Sequence, residues 1–123
     1  MSAVEPRASM STRGPVLIIG TGLLGTSLAL ALRAAGIEVQ LSDTSPTSLA
    51  LARDMGAGVP HDEDNPEPQI VVVAIPPDVT ADVVVAQLAA HPHAVVTDVA
   101  SVKERVVAEV RARAGAEARR YVG

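Results

Sequence analysis

At 123 residues the chain has room for one layered core and not for a second independent lobe. A net charge of -4 with no basic run argues against nucleic acid as a partner, and the absence of cysteine removes disulfides and thiolate chemistry. No apolar stretch approaches the roughly 18 uninterrupted residues of a membrane span, and the N-terminus lacks the basic-then-apolar order of a signal peptide. The expectation is a cytoplasmic chain.

Residues 1 to 13 mix Ser, Pro, Arg and small residues without periodicity and read as a disordered tail, so a single folded domain is expected over residues 14 to 123. Val16-Leu17-Ile18-Ile19 is a continuous apolar run ending at glycine, the pattern of a strand covered on both faces. Leu24 to Ala35 is rich in Leu and Ala and stops at Gly36, as a helix would. Glu38 to Ser42 alternates polar and apolar residues as a second strand and ends on Asp43. Ser45-Pro46 opens another helix, closed by Gly56.

His61 to Pro68 gathers four acids and two prolines and reads as a solvated loop. Ile70 to Ile75 is a second fully apolar strand, stopped by Pro76-Pro77, and Asp78 is placed to cap a helix running to about Ala90. Ala94 to Val99 is a further strand, Val102 to Ala114 a further helix with Ser101 at its cap, and Arg120-Tyr121-Val122 the opening of another strand. The order β-α-β-α-β-α-β-α-β requires crossovers. It predicts a three-layer α/β fold of Rossmann type, with a mostly parallel sheet and helices on both faces.

The chemistry gathers at Gly20-Thr21-Gly22-Leu23-Leu24-Gly25. In a G-x-G-x-x-G turn between strand and helix, the first glycine permits the tight turn and the second lets backbone approach a pyrophosphate. The third lets helix pack close on strand. Unpaired N–H groups at the helix start, with the helix dipole, then face the anion. Asp43 falls 23 positions after Gly20, where a carboxylate accepts hydrogen bonds from the adenosine ribose and repels a 2′-phosphate. No Arg or Lys follows within nine residues, which favours NAD over NADP; a turn or helix-cap role is the competing reading of Asp43.

Ile75 and Pro76 end a strand on the edge where such sheets bind ligands, and offer an apolar wall to the cofactor or mere punctuation before a helix. Ser101 is placed to donate to a substrate hydroxyl or carboxylate, or to cap the helix that follows. None of His61, His91 and His93 is placed as a catalytic base, and they lack the paired spacing of a metal site. Asp62, Glu63, Asp64 and Glu67 read as a solvated face.

With GTGLLGTSLALALRAAG, Asp43, VVVAIPPDV and above all VVTDVASVKERV followed by RRYVG, the chain resembles the prephenate and arogenate dehydrogenases of tyrosine biosynthesis over residues 16 to 123. The resemblance implies oxidation of the ring carbinol of prephenate or arogenate by a bound NAD or NADP, with loss of carbon dioxide and aromatisation. It implies that Ser101 lies near the substrate hydroxyl and the catalytic histidine. Gly20, Gly22, Leu23, Leu24, Gly25, Asp43, Ile75 and Pro76 would contact the cofactor. In the family, the Y-V-G strand continues into a histidine-proline pair whose histidine is the base, and a helical domain follows that supplies a substrate-binding arginine and most of a dimer interface.

The chain reaches only Gly123, so the resemblance implies a cofactor-binding portion with little turnover of its own, from a homodimeric parent. Competing readings are a related β-hydroxyacid dehydrogenase or imine reductase, and a non-catalytic module that senses NAD or NADH.

Overall fold

The computed structural model describes residues 14–123; the tail reading of residues 1–13 lies outside them. Six strands form one sheet: β1 (Val16–Ile19), β2 (Val39–Ser42), β3 (Val59–Pro60), β4 (Ile70–Val73), β5 (Val95–Asp98) and β6 (Tyr121–Val122). Their spatial order is β3-β2-β1-β4-β5-β6 and all five pairings are parallel. The helices are α1 (Leu23–Ala34), α2 (Pro46–Asp54), α3 (Pro77–Ala90) and α4 (Lys103–Ala114), and a 3-10 segment, Gly115–Arg120, leads into β6.

Alternation along β1 divides the core into two. Leu17 joins Val71, Val73, Val84, Leu88, Val96, Val106 and Val110 under α3 and α4, whereas Val16 and Ile18 join Ala29, Val39, Leu41 and Ala52 under α1 and α2. A sheet buried on both faces has to be apolar at every position, as VLII and IVVV are. The three-layer expectation holds. Connections leave β1 toward β2 on one side and β4 lies on the other, which opens a crevice at the carboxyl ends of β1 and β4, where sheets of this order bind ligands.

Three local expectations are corrected. The two-residue β3 at Val59–Pro60 was not foreseen; the crossover from it to β4 is a loop, as residues 61 to 68 were read. That loop is tied down rather than free: the buried Gln40, on the sheet face opposite Val39 and Leu41, donates from Nε2 to the Pro66 carbonyl at 2.8 Å and meets His61 Nδ1 at 2.6 Å. Helix α3 begins at Pro77 with Pro76 at its cap, so Asp78 lies inside the first turn instead of capping it. Helix α4 begins at Lys103 with Val102 at its cap and no side-chain capping bond, so Ser101 is not a cap.

Candidate functional site

The glycine turn joins the carboxyl end of β1 to α1, and its three glycines meet three different constraints. Gly20 has φ +102°, and a Cβ there would stand 2.2 Å from the Ala74 carbonyl oxygen. A Cβ on Gly25 would stand 1.9 Å from the Gly20 carbonyl oxygen, so α1 packs against the turn only because this residue has no side chain. Gly22 differs from both. Its backbone is extended (φ -73°, ψ -163°), a conformation open to any residue, and nothing lies within 4 Å of where its Cβ would be. The space above Gly22 is therefore the only feature there that a side chain would remove.

Gly22 caps α1 without a side-chain hydrogen bond, and the first turn holds no acid. The helix dipole and the amides of Leu23, Leu24 and Gly25 are thus offered to an external anion. The Leu23 and Leu24 side chains are 88% and 58% exposed, and their part in the turn is through backbone.

Asp43 sits just beyond β2 and holds this turn from the side. Its Oδ2 accepts from the Thr21 amide at 2.6 Å and the Thr21 hydroxyl at 2.7 Å, and its Oδ1 accepts from the Ser45 amide at 2.8 Å. Thr21 in turn accepts at its carbonyl from the Thr26 hydroxyl at 3.0 Å, which fastens the turn to α1. Burial alone would raise the Asp43 pKa, but the bonds from Ser45 and Thr21 outweigh it and hold the carboxyl below its ordinary value. The group is an oriented anion at neutral pH.

Beside it opens a cavity of about 340 Å³ lined by Gly20, Asp43 and Thr44 on one side and Ile75, Pro76, Val79 and Val83 on the other. A wall of four apolar side chains facing one carboxylate suits a flat base carried on a hydroxylated sugar. Pro76 has no N–H to satisfy, so it brings no donor that burial under a ligand would strand.

One strand over, at the carboxyl end of β5, the buried Asp98 gathers three further segments. Its Oδ1 accepts from the Ala100 amide at 2.9 Å and from Lys103 Nζ, and its Oδ2 accepts from the Tyr121 hydroxyl. Lys103 also donates to the Asp98 carbonyl at 2.7 Å. Burial works against the Asp98 anion, yet the donors Lys103, Tyr121 and Ala100 prevail and lower its pKa; the Tyr121 phenol, half-buried against that anion, is pushed well up. Ser101 lies between these anchors, exposed and outside the hydrogen bonds that hold its loop, in an open depression it shares with Val102, Lys103, Glu104 and Arg105.

The structure thus brings Gly20, Asp43, Ile75 and Pro76 to one crevice, with Gly22 and Gly25 in the adjoining turn, and sets Ser101 on the same edge of the sheet. His91 caps the far end of α3 and pairs through Nδ1 with Glu67 Oε1 at 2.9 Å, with its ring 5.8 Å from that of His61. Neither histidine lines the cavity beside Asp43. Among the described residues no group of three or more His, Cys, Asp or Glu is arranged to hold a metal ion, and no helix is long and apolar enough to cross a membrane.

Sequence reasoning gave no role to Thr21, Val79, Val83, Asp98 or Tyr121. The five-residue step from Asp98 to Lys103 across a helix start was the available signal for the second cluster.

Residues 28–123 match the family described as prephenate dehydrogenase, nucleotide-binding domain. The chain is 43% identical over 88 residues to a probable prephenate dehydrogenase of Streptomyces niveus, covering 71% of this chain and 24% of that protein. Among solved structures it is similar to a putative prephenate dehydrogenase of Corynebacterium glutamicum (TM-score 0.73, 31% identity), covering 90% of this chain and 36% of that one. It is also similar to the arogenate dehydrogenase of Synechocystis (TM-score 0.68, 25% identity), covering 80% and 37%. A 3-hydroxyisobutyrate dehydrogenase of Mycobacterium tuberculosis, at 22% identity and TM-score 0.64 over 87% of this chain and 38% of that one, shares the fold. The chain spans about a quarter of the curated relative's length.

Proposed function

We propose, from the premise that the chain belongs to the family of prephenate dehydrogenase nucleotide-binding domains, that its glycine turn holds NAD and that the whole protein oxidises prephenate. A dinucleotide cofactor follows from the family; the choice of NAD rests on Asp43. The observation that carries the reading is the open ground over Gly22 between two glycines that are sterically closed. Close packing at Gly20 and Gly25 builds the turn, and the vacancy at Gly22 leaves room for a pyrophosphate against the first amides of α1.

The adenosine then falls in the cavity lined by Ile75, Pro76, Val79 and Val83, with its ribose toward Asp43. An ionised carboxylate accepts from ribose hydroxyls and repels a 2′-phosphate, and residues 44 to 52 contain no cation to neutralise one. When bound, the nicotinamide supplies a hydride acceptor. Ser101 presents a free hydroxyl on the substrate side, held by the Asp98 anchors, and orients the reacting carbinol by hydrogen bonding.

Prephenate is favoured over arogenate because the relatives at 43% and 31% identity both carry the prephenate name, against 25% for the arogenate enzyme. In the family, a helical domain beyond this region completes the site and forms the dimer. Titration of the chain with NAD and NADP tests the cofactor: NAD is expected to bind more tightly, and equal affinity removes the assignment to Asp43. For the whole protein, NAD reduction with prephenate is the expected activity, and failure with both prephenate and arogenate overturns the reading.

A further inference from the structure

We propose that Thr21 is a positioning residue for cofactor selectivity, acting through Asp43. The inference rests on the NAD reading above and goes beyond it, because it assigns the discrimination to a pair rather than to the carboxylate alone.

A side chain at the variable second position of a G-x-G turn has no part in the turn's own geometry, which its flanking glycines set. Yet Thr21 is 6% exposed and held at three points: its amide and hydroxyl both donate to Asp43 Oδ2, at 2.6 and 2.7 Å, and its carbonyl accepts from Thr26. The Ser45 amide holds Oδ1 from the opposite side. A carboxylate offers about four lone-pair positions. Three are filled by these bonds, so one position on Oδ1 is left for a ribose hydroxyl, and the group has no freedom to turn aside.

That immobility matters for selectivity. A carboxylate on an unrestrained side chain can swing away from a 2′-phosphate and lose much of the repulsion. Each bond that restrains it keeps its charge nearer to where the phosphate would have to go, and the Thr21 hydroxyl adds the one side-chain restraint to the two backbone amides, so its loss loosens the group and lowers the penalty on NADP.

The test is calorimetric titration of the full chain with NAD and with NADP, for wild type and for Thr21→Val, Thr21→Ala and Thr21→Ser. The valine keeps the branched shape but lacks the O–H, and the alanine serves if packing rejects the valine. Loss of one charge-assisted hydrogen bond should lower the NAD:NADP affinity ratio by about three- to tenfold in both. Thr21→Ser restores the donor and should keep the ratio within about twofold of wild type. If Thr21 only braces the turn, valine and alanine weaken both cofactors alike and the ratio stays put, which overturns the inference. Loss of the ratio in the serine variant as well also overturns it. A wild-type chain without NAD preference is a different result: it removes the reading of Asp43 before any variant is compared.

Discussion

At the scale of single residues, the glycine turn separates folding from binding. Gly25→Ala drives a methyl group into the Gly20 carbonyl and must move α1 off the turn, so it should lower stability by about 1–3 kcal/mol in denaturant unfolding and weaken cofactor binding with it. Asp43→Asn acts otherwise. The amide keeps one acceptor oxygen for Thr21 or Ser45 but loses the charge, so NADP should gain on NAD in a binding titration while the fold persists.

The glycine turn was legible in the sequence because its steric requirements are local to it, and so was the place of Asp43 at the end of a strand. Thr21 was not. Its importance lies in a bond across 22 positions to Asp43, and no composition or period marks a threonine for that.

At the scale of elements, the sheet and helices follow from apolar runs bounded by glycine and proline, and these were readable. What escaped were features with too few residues to carry a period. Strand β3 is two residues long, with Val59 53% exposed, and owes its place to pairing with Gln40 and Leu41. The loop after it covers a sheet face in place of a helix because Gln40 supplies a buried polar side chain for it to bond. Ser101 looked like a cap by residue type, but the Asp98 anchors fix the loop so that the helix starts one residue later, with Val102 at its cap.

A second anchor lies at the carboxyl end of α3. Arg120, in the 3-10 segment, donates to the carbonyls of Leu88 (2.6 Å), His91 (2.9 Å) and Ala94 (2.8 Å), tying the helix end to its exit. Arg120→Met keeps much of the side-chain bulk and removes all three bonds. It should cost about 2 kcal/mol or more of stability in chemical denaturation while leaving NAD affinity unchanged, because the cofactor crevice is at the opposite end of the sheet.

At the scale of the whole molecule, three ionisations bound the range of stability, two at acid pH and one at alkaline pH. Asp98 has its pKa lowered from 3.8 on folding, so its contribution is present above that value and is lost as pH falls through the folded pKa; Asp43, also lowered, adds to the same acid limb. Tyr121 has its pKa raised from 10.0, so its contribution is present below pH 10 and is lost as the pH climbs through the folded value. Denaturation midpoints should therefore fall on both sides of a broad neutral plateau. Asp98→Asn should shrink both limbs; the alkaline one is read directly from the ionisation absorbance of Tyr121, the only tyrosine in a chain without tryptophan, and the acid one from denaturation midpoints.

The central claim is that the space over Gly22 exists for the pyrophosphate of a dinucleotide. Gly22→Ala addresses it directly, since the backbone there tolerates any residue and the added methyl meets no protein atom within 4 Å. Calorimetric titration of wild type and Gly22→Ala with NAD, alongside their unfolding midpoints, should show near-equal stability and an affinity for NAD at least about tenfold weaker in the variant, the loss of about 1.4 kcal/mol. Equal NAD affinity in the two proteins, or no NAD binding by the wild type, would contradict the account.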